Sequence, residues 1–97
     1  MRISEFQKLI KDLYIERDKN RGIKATFIWL IEEIGELARI VKKNEVNLKM
    51  ASEELADIIA WTNSLANLLD IDLELALSSK YPNKCIKCKS NPCTCSK

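Results

Sequence analysis

An all-α fold follows from three features of the 97-residue sequence. Two glycines and two prolines are too few for the turns of a β-sandwich or barrel. Leu, Ile, Ala, Glu and Lys dominate, and all of these but Ile are good helix formers. Apolar residues recur every three to four positions, and no segment alternates with the period of a strand. With 46% hydrophobic and 31% charged residues the balance is that of a globular chain. The length suits one small domain, read as a compact bundle of about four helices.

The first helix is predicted from a cap at Ser4 through Phe6, Leu9, Ile10, Leu13 and Tyr14, closing in the polar segment Arg17 to Gly22. A second runs from about Ala25 to Lys43, with Phe27, Leu30, Ile31, Ile34, Leu37, Ala38 and Val41 as a wide apolar stripe. Asn44 and Asn47 mark the connection to a third, from Leu48 or Met50 to Leu69, whose inner line holds Ile58, Thr62, Leu65 and Leu69. After a turn at Asp70 to Asp72, Asp72 caps a short fourth helix through Lys80. Such short connections suit antiparallel helix packing.

The net charge of +2 is unevenly spread, because residues 80–97 hold five lysines and no acid and the rest of the chain is therefore net acidic. All four cysteines and both prolines lie in the same stretch. The expected organisation is a helical domain over 1–81 and a basic Cys-rich tail over 82–97. No apolar run approaches the roughly 18 residues of a membrane span, and the start lacks the apolar centre and cleavage site of a signal peptide, so a cytoplasmic protein is expected. The chain has no histidine, which removes Ser-His-Asp and Cys-His catalysis and leaves carboxylates and thiolates.

The acids are placed unusually. At 100° per residue, with Ile58 of the third helix as zero, Leu65, Trp61, Met50 and Leu68 span about −20° to −80°, while Glu54 falls near about −40° and Asp57 near about −100°. An i, i+3 carboxylate pair thus lies in the apolar stripe, where an unpartnered charge costs several kcal/mol. On the second helix, with Ile34 as zero, Glu33 at about −100° and Glu36 at about −160° interleave with Trp29 and Ile40. Glu32 lies further round. With no Lys or Arg on those arcs, the four acids call for an external cation. Mg²⁺ is the natural candidate, because it takes oxygen ligands and bridges carboxylates to phosphates. A di-iron bundle loses weight without histidines, and the plain alternative is a solvated acidic face.

At these residues the sequence resembles the MazG family of nucleoside triphosphate pyrophosphohydrolases, whose signature is Glu-Glu-x-x-Glu on one helix and Glu-x-x-Asp on the next. The matches are Glu32, Glu33 and Glu36, then Glu54 and Asp57, and the likeness extends over roughly residues 3 to 81. The resemblance implies an all-α fold, Mg²⁺ on Glu33, Glu36, Glu54 and Asp57, hydrolysis between the α and β phosphates to a monophosphate and pyrophosphate, and dimers or tetramers of the chain. The chemistry suits the residues: a metal polarises phosphoryl oxygen and acidifies water, and Glu32 or Glu36 is a candidate to orient or deprotonate that water. Lys80 is expected to meet phosphate, since the family often has a basic residue at the end of this helix, although the chain continues there as KYPNKC.

Trp29 and Trp61 lie one turn from the acid pairs and either stack on a base or fill a core or dimer interface. Asn63 and Asn67 are read as solvent or interface residues on the back of the third helix, and Arg17, Arg21 and Lys24 as a solvated charge run, with an approach to phosphates from outside as the alternative. Cys85, Cys88, Cys93 and Cys95 follow C-x2-C-x4-C-x-C, close enough to surround a structural Zn²⁺; disulfides and free thiols are the alternatives. An isolated body of this size has a marginal core, so a homo-oligomer is expected to cover the Trp29 and Ile40 flank. The functional expectation is an Mg²⁺-dependent nucleotide pyrophosphohydrolase in nucleotide-pool housecleaning, with a nucleoside triphosphate as partner and neither membrane nor nucleic acid. Its rival is a non-catalytic nucleotide sensor, or a helical nucleic-acid- or protein-binding module with a zinc tail.

Overall fold

The computed structural model describes residues 1–96, which form four helices and, among the described residues, no strand. Helix α1 spans Ile3–Arg21, α2 Ile23–Val41, α3 Leu48–Leu68 and α4 Leu73–Lys80. The all-α expectation holds, with corrections at the first helix. Its cap is Arg2, whose backbone N–H donates to the Glu5 carboxylate at 2.8 Å. Ser4 sits inside the first turn, where its N–H donates to Glu74 of α4 at 3.2 Å. The polar stretch from Arg17 is helical to Arg21, with Arg21 paired to one oxygen of Asp18 on the inner face.

The chain turns between α1 and α2 at a single residue. Gly22 has φ +90°, a conformation that L side chains rarely adopt, and its N–H donates to Asp18 O at 2.8 Å while its carbonyl accepts from Thr26 N–H at 3.1 Å. Helix α2 therefore begins two residues earlier than the pattern indicates. Caps at the later helices follow the expected chemistry: Asn47 accepts from Met50 N–H at 3.1 Å, and Asp72 from Leu75 N–H at 3.0 Å.

Helix α3 is the central element, packed against α2 on one side and α1 on another. Gln7 of α1 fastens it to the α3–α4 turn, donating to Asn67 Oδ1 at 3.0 Å and Ile71 O at 2.7 Å and accepting from Leu73 N–H at 3.0 Å. Asn67 is thus part of an internal joint. Asn63 is 2% exposed, and its amide donates to Ile59 O at 2.8 Å. Asn63 is buried and Asn67 half-buried because α1 packs on this side of α3, which the sequence places at solvent or an interface.

Few apolar residues are shielded by the chain itself: among the described residues only Ile10, Leu30, Ala51 and Ala66 are buried. Phe27, Ile28 and Ile31 of α2 and Leu55 and Ile59 of α3 remain half-exposed. The radius of gyration is 15.9 Å, against roughly 12–13 Å for a closed domain of this length. Among the described residues, no helix is long and apolar enough to cross a membrane.

Candidate active site and thiolate cluster

Packing of α2 on α3 brings the two acid pairs face to face. One carboxylate oxygen from each of Glu33, Glu36 and Glu54 lies within 4.8 Å of the others. Two oxygens on one octahedral Mg²⁺ at about 2.1 Å stand roughly 3–4.2 Å apart, so this spacing suits a shared hard cation after small side-chain adjustment. Glu54 is only 8% exposed, and its Oε1 is buried with no hydrogen-bond partner among the described residues. A buried carboxylate oxygen without a donor is costly. A cation at this point removes that cost, and a donor set made only of oxygens fits Mg²⁺.

Two carboxyls of the cluster titrate above their ordinary range. A carboxyl–carboxylate hydrogen bond with Glu33, then burial, raise Glu54 above the ordinary 4.5, reinforced by the charges of Glu33 and Asp57 and opposed by the hydrogen bond with Glu36. Glu36 is raised as well, first by its hydrogen bond and charge contact with Glu54, while Arg39 pulls it down.

Beside the cluster a cleft of about 560 Å³ is lined by Glu36, Glu54 and Asp57 together with Arg39, Lys42 and Lys43. Asp57 therefore borders the cleft but lies outside the three-carboxylate group. Glu32 is exposed and lines neither. The three cations were missed in the sequence. Arg39 follows Glu36 by three residues, a spacing that was available as a signal, whereas Lys42 and Lys43 lie past the end of α2 and are placed by the turn.

Trp29 and Trp61 meet edge to face, with centroids 5.5 Å apart and planes at 71°. The Arg21 guanidinium lies 5.1 Å from the Trp29 centroid and 4.6 Å from that of Trp61. Its Nη1 donates to Asp18 Oδ1 at 2.9 Å and to Thr26 Oγ1 at 3.2 Å. Arg21 is thus a half-buried joint between α1, α2 and α3 and not a solvated charge. Lys80, at the end of α4, lies 5.8 Å over the Tyr81 ring and lines a separate cleft with Lys84, Cys85 and Lys87.

The tail brings its four cysteines together. The sulfurs of Cys85, Cys88, Cys93 and Cys95 all lie within 4.8 Å of one another, with Cys85–Cys95 and Cys88–Cys93 both at 3.8 Å. All four are free, far from the roughly 2.05 Å of a disulfide. Four sulfurs about 2.3 Å from one centre stand about 3.8 Å apart, the edge of a zinc tetrahedron. Lys89, at φ +61°, turns the chain after Cys88, and its N–H returns to Cys85 O at 2.7 Å. Thr94 N–H donates to Cys88 Sγ at 3.3 Å, and donors from Thr94 and Ser90 lower that thiol to about 5. Backbone N–H groups of Cys88 and Lys87 lower Cys85, whereas hydrogen bonds with Cys93, Cys88 and Cys85 push Cys95 to about 11.

The all-α chain thus brings carboxylates together between two helices, beside a cleft rimmed by cations. Residues 21–89 match the model of the MazG nucleotide pyrophosphohydrolase domain, which is more than half of the chain, and the protein belongs to that family. The match takes in α2 to α4 and the first two cysteines, while most of α1 precedes it. A search of the curated proteins finds no match.

Proposed function

We propose that the protein is an Mg²⁺-dependent pyrophosphohydrolase that converts (deoxy)nucleoside triphosphates to monophosphate and pyrophosphate, with nucleotide-pool housecleaning as its role. The observation that carries this reading is the convergence of the Glu33, Glu36 and Glu54 carboxylates, with Glu54 Oε1 buried and without a partner among the described residues, at the edge of a cleft that also holds Asp57. Glu33, Glu36, Glu54 and Asp57 would hold the metal. When bound, Mg²⁺ would neutralise phosphate charge, polarise the phosphoryl oxygen and acidify a water.

The chain supplies the rest. Arg39, Lys42 and Lys43 line the cleft, and they are assigned to the β and γ phosphates in the place where Lys80 was expected. In the reaction a water oxygen bonds to the α phosphorus, the α–β anhydride bond breaks, and pyrophosphate leaves with the electron pair. Glu36 lines the cleft and Glu32 does not, which favours Glu36 to take the water proton. A panel of NTPs and dNTPs with Mg²⁺ or EDTA, scored for monophosphate and pyrophosphate by chromatography, tests the assignment. Mg²⁺-dependent appearance of both products is expected; silence across the panel would contradict hydrolysis and favour a nucleotide-binding module.

Two assemblies complete the proposal. A second copy of the chain covers the half-exposed apolar faces of α2 and α3, so light scattering at micromolar concentration is expected to give two or four chains per particle; a monomer would refute this. Cys85, Cys88, Cys93 and Cys95 hold a structural Zn²⁺ that leaves no open coordination position, and the tail over 82–97 is a unit distinct from the 1–81 domain. Metal analysis is expected to give one zinc per chain, lost with Cys88→Ser while helix content is retained. Zinc-free wild-type protein purified with metal available would refute the site.

A further inference from the structure

A second, smaller cleft of about 210 Å³ opens between α1 and α3, lined by Tyr14, Arg17 and Asp18 from one helix and by Asp57, Trp61 and Ser64 from the other. Asp57 borders this cleft and the acidic one, so the two adjoin. Its own buried carboxylate is half used. Asp18 is 1% exposed; Oδ1 is bound by Arg21 at 2.9 Å, and Oδ2 is buried with no partner among the described residues. Arg21 is in turn held by Thr26 and by both tryptophan faces, so it is pinned toward Oδ1. The free oxygen of a charge-paired carboxylate is a strong acceptor and cannot donate.

We infer that this cleft is the nucleobase pocket and that Asp18 selects bases carrying an amino group on the Watson–Crick edge, with cytosine preferred over uracil. The inference rests on the nucleotide reading above and adds to it which end of the substrate lies where and which bases are accepted. Along α3, Asp57 to Ser64 covers seven residues, about 10 Å of rise, enough to separate a phosphate held near Asp57 from a base near Ser64. Tyr14 and Trp61 are aromatic walls for a flat ring, and the cleft is well below the roughly 300–1,000 Å³ of a drug-sized pocket, which suits one ring system. The cytosine amino group donates to Asp18 Oδ2. Uracil presents a carbonyl oxygen at the same point, acceptor against acceptor, and a site built around a buried polar group discriminates strongly against a ligand that leaves it unpaired.

The test is binding of CMP and UMP to the full chain in EDTA, followed by tryptophan fluorescence, since Trp61 walls the cleft. It needs no turnover, so it stands or falls separately from the hydrolase assay. Wild-type protein is expected to bind CMP at least about tenfold more tightly than UMP. Asp18→Asn, whose amide both donates and accepts, is expected to bring the ratio near one, and Tyr14→Ala to weaken both ligands while keeping the ratio. Equal binding of CMP and UMP by the wild type would overturn the assignment even if Asp18→Asn failed to fold. A preference that survives in folded Asp18→Asn would overturn the role of Asp18.

Discussion

Replacing Arg21 by alanine is expected to be the most destabilising single change in the helical body, at about 3–5 kcal/mol, because it strands a buried charge. The Asp18 side chain is 1% exposed and that of Arg21 17%, so water cannot replace the lost partner at Oδ1. The substitution would also leave Thr26 Oγ1 without its donor and remove a cation from the faces of Trp29 and Trp61. Arg21→Lys keeps the charge but not the planar fork and stack, and should lose a smaller part. Urea denaturation of the three proteins at one concentration checks this. Equal midpoints for Arg21→Ala and wild type would mean that the cluster does not hold α1 to α3.

Glu54→Gln is expected to lower metal-dependent kcat/KM by at least about a hundredfold, since even groups that only orient metal ligands are worth roughly 10- to 100-fold. The stability effect should run the other way. Unfolded Glu54 titrates near 4.5, and in the folded, metal-free protein its pKa is raised, first by the hydrogen bond with Glu33. Between those two values the folded state binds more protons than the unfolded one, so stability falls as pH rises through the raised pKa. Below 4.5 both states are protonated and this loss is absent. In EDTA at neutral pH, Glu54→Gln should therefore melt no lower than wild type, while the advantage vanishes at acidic pH. Thermal melts across that range separate loss of chemistry from loss of fold.

The acidic cluster was legible because i, i+3 spacing converts directly into a shared helix face, and because Glu54 and Asp57 fell on an arc already filled by Ile58, Trp61 and Leu65. The cysteine cluster was legible from spacing alone. What the sequence hid was contributed by α1. The stretch containing Arg17, Asp18 and Arg21 is polar and reads as a solvated helix end, yet Asp18 and Arg21 neutralise each other inside the protein. Which side of α3 receives α1 depends on three-helix packing, and that choice buries Asn63 and turns Asn67 toward Gln7. Ser4 had the chemistry of a cap, but Glu5 satisfies the first backbone donor one turn earlier. Among the cations of the cleft, Arg39 stands on α2 three residues past Glu36, where its spacing is a usable signal, whereas Lys42 and Lys43 read as the last turn of the second helix but stand in the turn beyond Val41, where helix angles do not apply.

The central claim is that Glu33, Glu36 and Glu54 form the centre whose metal the reaction needs. Titrating Mn²⁺, as a paramagnetic stand-in for Mg²⁺, into metal-free protein and counting free ion by electron paramagnetic resonance tests it most directly, with NTP turnover followed in the same samples. Saturable binding that rises together with turnover in the wild type, and is lost together with it in folded Glu54→Gln, is the predicted result. Wild-type binding and turnover that persist unchanged in Glu54→Gln would place the metal elsewhere and contradict the account.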